Sequence, residues 1–365
     1  MADPEKPDSE KSRETILLKQ MKNLLRFRVK VLMLTAIFLI GIAGMLSAQK
    51  IAIIDAGSSG SELYVYEWNK DNKQLIVLYS GSGKKDDTEG KILAKVDNTN
   101  AAAARAYLTK MTSEHLNTDS NPIPLYVLAT AGMRGKDNSI YDKIRSVSKI
   151  NGYKIEKAMT ISGKYEGFYA WIAANYKNKN LGFNNSTPEQ PLTYTAPTCG
   201  ILEIGGASIQ ITFAMDEQCP DCISRKGFSN IYSKSYLGCG VNSVYDKYIS
   251  ETEPYDFTTL NMGLNTVKQL IPENLAFWGL GGSIRAFFKE GKTLDKYSAF
   301  YKDSIPTSTN HPYMNAEYIK YITTSLGLVL NSTFKDPKNP SNWTEGAALD
   351  ILLYGETPEE YNGNN

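Results

Sequence analysis

Residues 51–68, IAIIDAGSSGSELYVYEW, place a carboxylate between a buried strand and a loop of glycine and serine. The apolar residues IAII lead into Asp55, the Gly/Ser tract follows, and an alternating run predicts a second strand. An unpaired carboxylate at the end of a buried strand is costly. We therefore expect Asp55 to have a partner, and the neighbouring sequence does not supply one.

The same arrangement recurs later in the chain. GILEIGGASIQITF (200–213) again runs from a strand through an acid and a Gly/Ser turn into a strand, with Glu203 148 residues after Asp55. A second pair of strand-and-loop segments places Gly132 and Gly281 149 residues apart. Two features that repeat at one offset predict two duplicated α/β domains, and a cleft between two such domains is the usual place for a ligand.

Helical periodicity fills the intervals between the predicted strands. In 162–179, Ser162 is suited to cap the helix and Gly182 lies just past its end, whereas 180–198 is typical of a linker or surface loop. The predicted helices are 99–116, 162–179 and 343–355.

Composition and the N-terminus limit the class of protein. A net charge of +1 gives no electrostatic case for a nucleic-acid partner, and two histidines disfavour a Ser-His-Asp triad. Residues 1–48 combine a polar extension, a basic flank, an apolar run and the small residue Ala48, which predicts a signal peptide and a secreted or periplasmic protein. An uncleaved signal anchor is the alternative. After cleavage we expect no stable membrane span and a monomer.

Four cysteines follow the predicted signal: Cys199, Cys219, Cys222 and Cys239. An even number in an exported protein predicts two disulfides, with three possible connectivities. The CPDC segment at 219–222 is alternatively half of a zinc site or a redox pair.

Two Gly/Ser loops that face one cleft would offer many backbone N–H groups and hydroxyls, and such concavities bind phosphate. A bare carboxylate beside phosphate is unfavourable, but Mg²⁺ commonly joins one or two carboxylates to phosphate oxygens and water. We therefore expect Asp55 and Glu203 to hold a cation through water. The alternative is a pair of simple hairpin turns. Glu166 is placed to act as a base in hydrolysis, or is simply an acid near a helix N-terminus.

Five segments, in this order, resemble the motifs of the nucleoside triphosphate diphosphohydrolases, or apyrases, and most closely a bacterial-type secreted member. They are DAGSSGS (55–61), ATAGMR (129–134), YEGFYAWIAANY (165–176), EIGGASIQITF (203–213) and WTEGA (343–347). The resemblance implies an α/β, actin-like fold of two ribonuclease-H-like domains with the active site in the interdomain cleft. We expect the first domain to comprise 49–165 plus 338–365, and the second 166–337.

The resemblance also implies roles for individual residues. Glu166 would be the catalytic base, Gln210 would help to position the attacking water, and Trp343 would lie near a metal held through water by Asp55 and Glu203. The family usually has Asp where this chain has Glu203. Arg134 is either a structural arginine, in an ion pair within its own domain, or a phosphate-side arginine. Nucleobase contacts stay unassigned. The implied phosphate-binding residues are Ser58, Ser59, Gly60, Thr130, Ala131, Gly205, Gly206, Ala207 and Ser208.

We therefore expect metal-dependent hydrolysis of nucleoside tri- and diphosphates to monophosphates by direct attack of water. The cofactor would be a divalent cation, Mg²⁺ or Ca²⁺, with Mn²⁺ as a further candidate. The alternatives are an exopolyphosphatase-like hydrolase of the same fold and a nucleotide-binding protein without turnover. A kinase and a filament-forming protein fit the predicted export and the cysteines less well.

Overall fold

The computed structural model describes residues 28, 49–81, 92–183, 192–250, 257–281, 284, 312–328, 334–335 and 342–363. One compact unit comprises Lys50–Asn365, and a separate unit comprises Met1–Gln49. The predicted signal peptide lies, apart from residue 28, outside the described residues. Within the part of the chain that the structure describes, no helix combines the length and the apolar composition that a membrane span requires.

The first sheet has six strands in the order β3-β2-β1-β4-β6-β5. Strands β2 and β3 are antiparallel, whereas β4 runs parallel to β1, and β6 runs parallel to β4. Its strands are β1 (Gln49–Ala56), β2 (Ser61–Asn69), β3 (Gln74–Gly81), β4 (Ile123–Ala129), β5 (Lys149–Ile150) and β6 (Tyr153–Thr160).

A short hairpin separates the two large sheets in the sequence. Its strands β7 (Leu181–Phe183) and β8 (Leu192–Tyr194) pair in antiparallel fashion. The prediction of a linker over 180–198 is therefore wrong at these two strands. Residues 184–191 lie outside the described residues.

The second sheet also has six strands, in the order β11-β12-β10-β9-β13-β14. Strands β9 and β10 are antiparallel, as are β10 and β12, whereas β13 runs parallel to β9 and to β14. Its strands are β9 (Gly200–Ile204), β10 (Ser208–Ala214), β11 (Cys222–Arg225), β12 (Phe228–Leu237), β13 (Phe277–Leu280) and β14 (Phe334–Lys335).

The two sheets share one topology, because β3-β2-β1-β4-β6 corresponds to β12-β10-β9-β13-β14. The predicted duplication is confirmed at the level of elements. The single residue offset predicted from the sequence holds for Asp55 and Glu203 but not for Gly132 and Gly281. Leu128 lies opposite Asp55 and Leu280 lies opposite Glu203, so the counterpart of Gly281 is Ala129, three residues before Gly132. The chain between the equivalent strands differs in length, which a search at one fixed offset does not detect.

A short 3₁₀ helix covers Leu93–Lys95. Seven α-helices are described, and all three helices predicted from the sequence are confirmed, with shifted ends. They are α1 (Ala101–Thr112), α2 (Ser139–Ser146), α3 (Gly163–Lys177), α4 (Val241–Ser250), α5 (Thr258–Leu270), α6 (Pro312–Ser325) and α7 (Trp343–Tyr354).

Helices α3 and α7 pack against each other and position the residues discussed below. Helix α3 lies on β9, β10 and β12 of the second sheet, whereas α7 contacts β2 of the first. A Cβ at Gly346 would lie 1.9 Å from the carbonyl oxygen of Tyr169, so only glycine permits this approach of the two helices. The first turns of α3 and α7 carry Glu166 and Trp343. The predicted domain boundaries stay predictions.

The ends of α3 differ in how well the sequence predicted them. The side chain of Ser162 accepts a hydrogen bond from the Tyr165 N–H at 3.3 Å, as expected of an N-cap. The helix ends at Lys177, and the left-handed residue beyond it is Lys179, with φ +60°, and not Gly182. Gly182, which the sequence indicated, is therefore not the residue that ends the helix.

One of the two expected disulfides is present, between Cys219 and Cys222, whose Cα atoms are 5.0 Å apart. This bond engages both thiols of the CPDC segment, which was half of the alternative zinc site. Cys199 and Cys239 are thiols, so the second expected disulfide is wrong. Cys199 precedes β9, whereas Cys239 follows β12 beyond the residue that pairs with Ser208, so the two lie toward opposite ends of the sheet.

Candidate active site

The two acid-and-loop segments line a single cavity of about 180 Å³. All but two of the residues predicted for the site line it; Gly60 and Gln210 do not. Three further lining residues were not assigned from the sequence, namely Gly57, Gly281 and Asn342. The full lining is Asp55, Gly57, Ser58, Ser59, Thr130, Ala131, Glu166, Glu203, Gly205, Gly206, Ala207, Ser208, Gly281, Asn342 and Trp343.

Asp55 lies near the end of β1, and its two carboxylate oxygens have different surroundings. The indole Nε1 of Trp343 donates to Oδ2 at 3.1 Å. Oδ1 is buried, and no donor among the described residues reaches it. Burial, reinforced by the charges of Glu166 and Glu62, raises the pKa of Asp55 well above its usual range, and the Trp343 hydrogen bond only partly opposes this. A positive charge beside Asp55 would remove this cost.

Glu203 reaches the same cavity from the second sheet. It lies on β9, where Gln210 of β10 and Leu280 of β13 are its register partners. The duplicated topology therefore places both acids at equivalent positions on the first strand of their sheets. This is the arrangement that the repeat predicted.

Packing against neighbouring segments supports the first loop. A Cβ at Gly132 would lie 2.6 Å from the Cα of Ser58, so glycine is needed where the segment after β4 crosses the loop. The Thr130 N–H donates to the carbonyl of Ala56 at 3.2 Å. Ser61, at the far end of the loop, is buried and accepts a hydrogen bond from the Tyr107 hydroxyl at 2.9 Å.

Backbone hydrogen bonds from the start of α4 hold the second loop. The Val241 N–H donates to the carbonyl of Gly205 at 3.0 Å, and those of Asn242 and Ser243 donate to the carbonyl of Gly206 at 2.9 and 3.1 Å. Because these carbonyls bond to α4, the loop has a fixed backbone conformation. The sequence analysis gave no indication of this contact.

Glu166 projects from the first turn of α3 and is 8% exposed, at the cavity wall. Its Oε2 accepts hydrogen bonds from the buried guanidinium of Arg134 and, at 3.1 Å, from Nε2 of Gln210. Arg134 is itself fixed, since its Nε donates to the carbonyl of Ile161 at 3.2 Å. Both described donors to Glu166 bind the same oxygen, so they fix the carboxylate plane and keep its charge compensated.

Gln210 is buried behind Glu166. Its Nε2 also lies 2.7 Å from the Ser208 hydroxyl and 3.4 Å from that of Ser235. The amide thus joins Glu166 to the second loop. The sequence predicted Arg134 as structural or phosphate-side; the structure shows it in an ion pair with Glu166.

The cavity has the donor set that suits a hard divalent cation. Such ions take oxygen ligands, keep several waters and commonly bind one or two carboxylates. Asp55 and Glu203 supply carboxylates, the loop serines supply hydroxyls, and the buried Oδ1 of Asp55 has no described donor of its own. The residues present therefore fit the cation that the sequence led us to expect.

Comparison with known proteins extends the match beyond short motifs. The model of the GDA1/CD39 (nucleoside phosphatase) family matches residues 47–253, more than half of the chain. The chain belongs to the GDA1/CD39 family. The match includes both acid-and-loop segments, Glu166 and the start of α4.

Several named relatives share about a third of the matched residues. "Probable apyrase 5" of Arabidopsis thaliana is 32% identical over 224 residues, covering 55% of this chain and 42% of the relative. The nucleoside-diphosphatase mig-23 of Caenorhabditis elegans is 29% identical, covering 61% and 47%. Ectonucleoside triphosphate diphosphohydrolase 1 of Bos taurus is 32% identical, covering 50% and 38%. The matched region spans less than half the length of each of these relatives.

Solved structures share the fold over most of the chain. The nucleoside triphosphate hydrolase structure from Neospora caninum has a TM-score of 0.55 at 14% identity, covering 89% of this chain and 97% of that one. A Ppx/GppA protein of Aquifex aeolicus has a TM-score of 0.50 at 15% identity, covering 85% and 99%. At these identities the likeness concerns the fold alone, and it confirms the predicted actin-like α/β fold.

Proposed function

We propose that this GDA1/CD39 protein hydrolyses nucleoside tri- and diphosphates to monophosphates, with a divalent cation and Glu166 as the base. The observation that carries the proposal is the position of Glu166. Its carboxylate, fixed by two donors at one oxygen, lies at the wall of a cavity between two Gly/Ser loops that each follow an acid. The names of the relatives support nucleotides as the substrate class.

The loops bind the phosphate chain. Glycine at 57, 205 and 206 lets the substrate approach the backbone closely, and the hydroxyls of Ser58, Ser59 and Ser208 add donors. Phosphoryl transfer depends mainly on fixed donors and charges around the equatorial oxygens. A loop held by three backbone hydrogen bonds to α4 is suited to this task, because it does not have to reorganise during the reaction.

Glu166 orients and deprotonates the attacking water. Arg134 and Gln210 bind Oε2, so Oε1 is the oxygen that accepts a hydrogen bond from the water and orients it. The guanidinium of Arg134 forms an ion pair with the Glu166 carboxylate, which acts as the base. Gln210 helps to position the water through its hydrogen bond to Glu166.

Asp55 and Glu203 would hold the cation, and Trp343 would orient Asp55 through its hydrogen bond. When bound, such a cation neutralises the charge of the phosphate oxygens. The proposal includes export, because the signal-like N-terminus would bring the enzyme to nucleotides outside the cytoplasm.

The test is phosphate release by the full chain from ATP, ADP, AMP and polyphosphate, with Mg²⁺ and with EDTA. We expect cleavage of ATP and ADP, accumulation of AMP, and no release in EDTA. Cleavage of polyphosphate alone would replace the proposal with the exopolyphosphatase alternative. Binding of nucleotide without cleavage of any substrate would favour a protein without turnover.

A further inference from the structure

A second cavity, of about 680 Å³, shares no lining residue with the first. It lies where the β2–β3 turn meets the end of α3 and strand β7. Helix α3 carries Glu166 in its first turn and contributes Tyr176 and Lys177 to this second cavity from its last. At a rise of 1.5 Å per residue, the two regions of the helix are about 15 Å apart.

One wall of the second cavity is aromatic and rigid. The rings of Tyr176 and Phe183 meet edge to face with centroids 5.9 Å apart, and Trp68 supports Phe183 at 4.8 Å. The Tyr176 hydroxyl is held by the Leu75 N–H at 3.1 Å. These contacts fix both lining rings, so the wall can receive a flat ring at little cost in side-chain entropy.

The rim of the second cavity is cationic. Lys73, Lys177 and Lys179 line it together with a single acid, Glu345. Lys177 and Glu345 form an ion pair at 2.7 Å, which largely cancels their charges. Lys73 and Lys179 are exposed and provide the excess positive charge. An anion is therefore the ligand that this rim attracts.

Both of these lysines occupy backbone positions that disfavour lysine. Lys73 has φ +50° and Lys179 has φ +60°, in the left-handed region where Gly and Asn are usual. At the end of α3, the Lys179 N–H bonds to the carbonyl of Tyr176 and the Asn180 N–H to that of Asn175, a Schellman motif whose left-handed position is normally glycine. A general need to end a helix or a hairpin does not explain lysine at either position.

We propose that this second cavity binds an organic phosphate with an aromatic ring, the ring on Tyr176 and Phe183 and the phosphate between Lys73 and Lys179. A nucleoside monophosphate, the product of the proposed reaction, belongs to this chemical class. The identification of that ligand rests on the proposed function, whereas the existence of the site does not.

Lysine labelling in the full chain tests the site directly, because no lysine lines the catalytic cavity. Pyridoxal 5′-phosphate, an aromatic phosphate with an aldehyde, condenses with a lysine amine with loss of water, and borohydride reduces the imine to a stable amine. We expect Lys73 and Lys179 to be labelled at least tenfold faster than Lys149 and Lys154, two exposed lysines at the other edge of the first sheet. AMP should protect them at a tenfold lower concentration than inorganic phosphate. Equal labelling of all four lysines would overturn the proposal, as would equal protection by the two anions.

A pair of double variants separates binding from stability. Lys73→Asn/Lys179→Asn removes both charges with a residue that suits positive φ, and Lys149→Asn/Lys154→Asn is the control with the same change in charge. We expect the first variant to bind AMP in the second cavity at least tenfold more weakly, measured as the AMP protection of Lys177, with no fall in Tm. Unchanged protection of Lys177 by AMP would contradict the proposal, whether or not Tm falls. Phosphate release from ATP in the same samples reports separately on the proposed function.

Discussion

The two acid-and-loop segments have the same topology, but different contacts support them. A glycine lies against each segment, Gly132 against Ser58 and Gly281 against Ile204, but only the first has the hydrogen bond from the Trp343 side chain to its acid, Asp55. Backbone hydrogen bonds from α4 hold the second, at Gly205 and Gly206. Duplication thus accounts for where the acids and loops lie, whereas later, unrelated segments determine how firmly each is held. The predictions below test this difference.

The largest effect should come from the residue that neither segment supplies. Glu166→Gln removes the base but keeps the shape of the side chain, so we expect kcat to fall about 10²- to 10⁴-fold while nucleotide binding persists. Phosphate release and equilibrium binding measure the two effects. Glu217→Gln, at an exposed glutamate between β10 and β11, is the control and should leave kcat within about threefold. A Glu166→Gln enzyme with normal kcat would place the base elsewhere.

Exchange of the two acids should have unequal effects. Asp55 is packed with one buried oxygen and one bonded to Trp343, so Asp55→Glu should displace its carboxylate and raise the Mg²⁺ concentration for half-maximal activity about 10- to 100-fold. Glu203→Asp introduces the residue usual in the family and should change that concentration less than about threefold. Activity titrated with Mg²⁺ measures both. Equal effects would show that the acids are equally constrained.

Alanine at the loop glycines should distinguish a backbone obstacle from a side-chain obstacle. At Gly132 the new Cβ would meet the Ser58 backbone at 2.6 Å, so we expect a loss of about 1–3 kcal/mol in the free energy of unfolding and lower activity. At Gly206 it would meet the side-chain amide of Asn242 at 2.8 Å, which can turn aside, and the loss should be under about 1 kcal/mol. Urea unfolding measures both. A larger loss at Gly206 would reverse the comparison.

The smallest effect on activity concerns the contact between the second sheet and α7. Arg225 of β11 lies 3.2 Å from the buried Oδ2 of Asp350 on α7. Burial raises the pKa of Asp350 to about 7, although Arg225 opposes the shift. The folded state therefore retains a proton that the unfolded state releases above about pH 4, so this group lowers the free energy of unfolding as pH rises from about 4 to about 7.

Asp350 should lower the free energy of unfolding by at most about 1.4 kcal/mol per pH unit, and Asp350→Asn should remove this slope. Urea unfolding at pH 5 and at pH 8 measures the difference. Asp142→Asn, at an exposed aspartate on α2, is the control and should keep the wild-type slope. An unchanged slope in Asp350→Asn would mean that Asp350 is ionised throughout this range.

The sequence predicted those features that local patterns determine. Each acid follows a strand and precedes a Gly/Ser turn, so the two loops were visible as a repeat, and Ser162 identified the start of α3. The partner of Arg134 in its ion pair, Glu166, could not be predicted, because it depends on where two distant segments meet. The C-terminal end of α3 was misplaced because Lys179 occupies a position that glycine normally fills. The prediction of a second disulfide was wrong for a related reason. The distance between Cys199 and Cys239 follows from the sheet topology and not from their spacing in the sequence.

The central claim is that the two duplicated segments act as one site on one cation. The most direct test is a double-mutant cycle of Asp55→Ala and Glu203→Ala, with kcat/KM for ATP measured at fixed Mg²⁺. We expect each single change to lower kcat/KM about 10- to 100-fold. The double change should cost little more than the larger single one, because the cation is already lost. Losses that multiply, to about 10²- to 10⁴-fold, would show that the two acids act independently and would contradict the account.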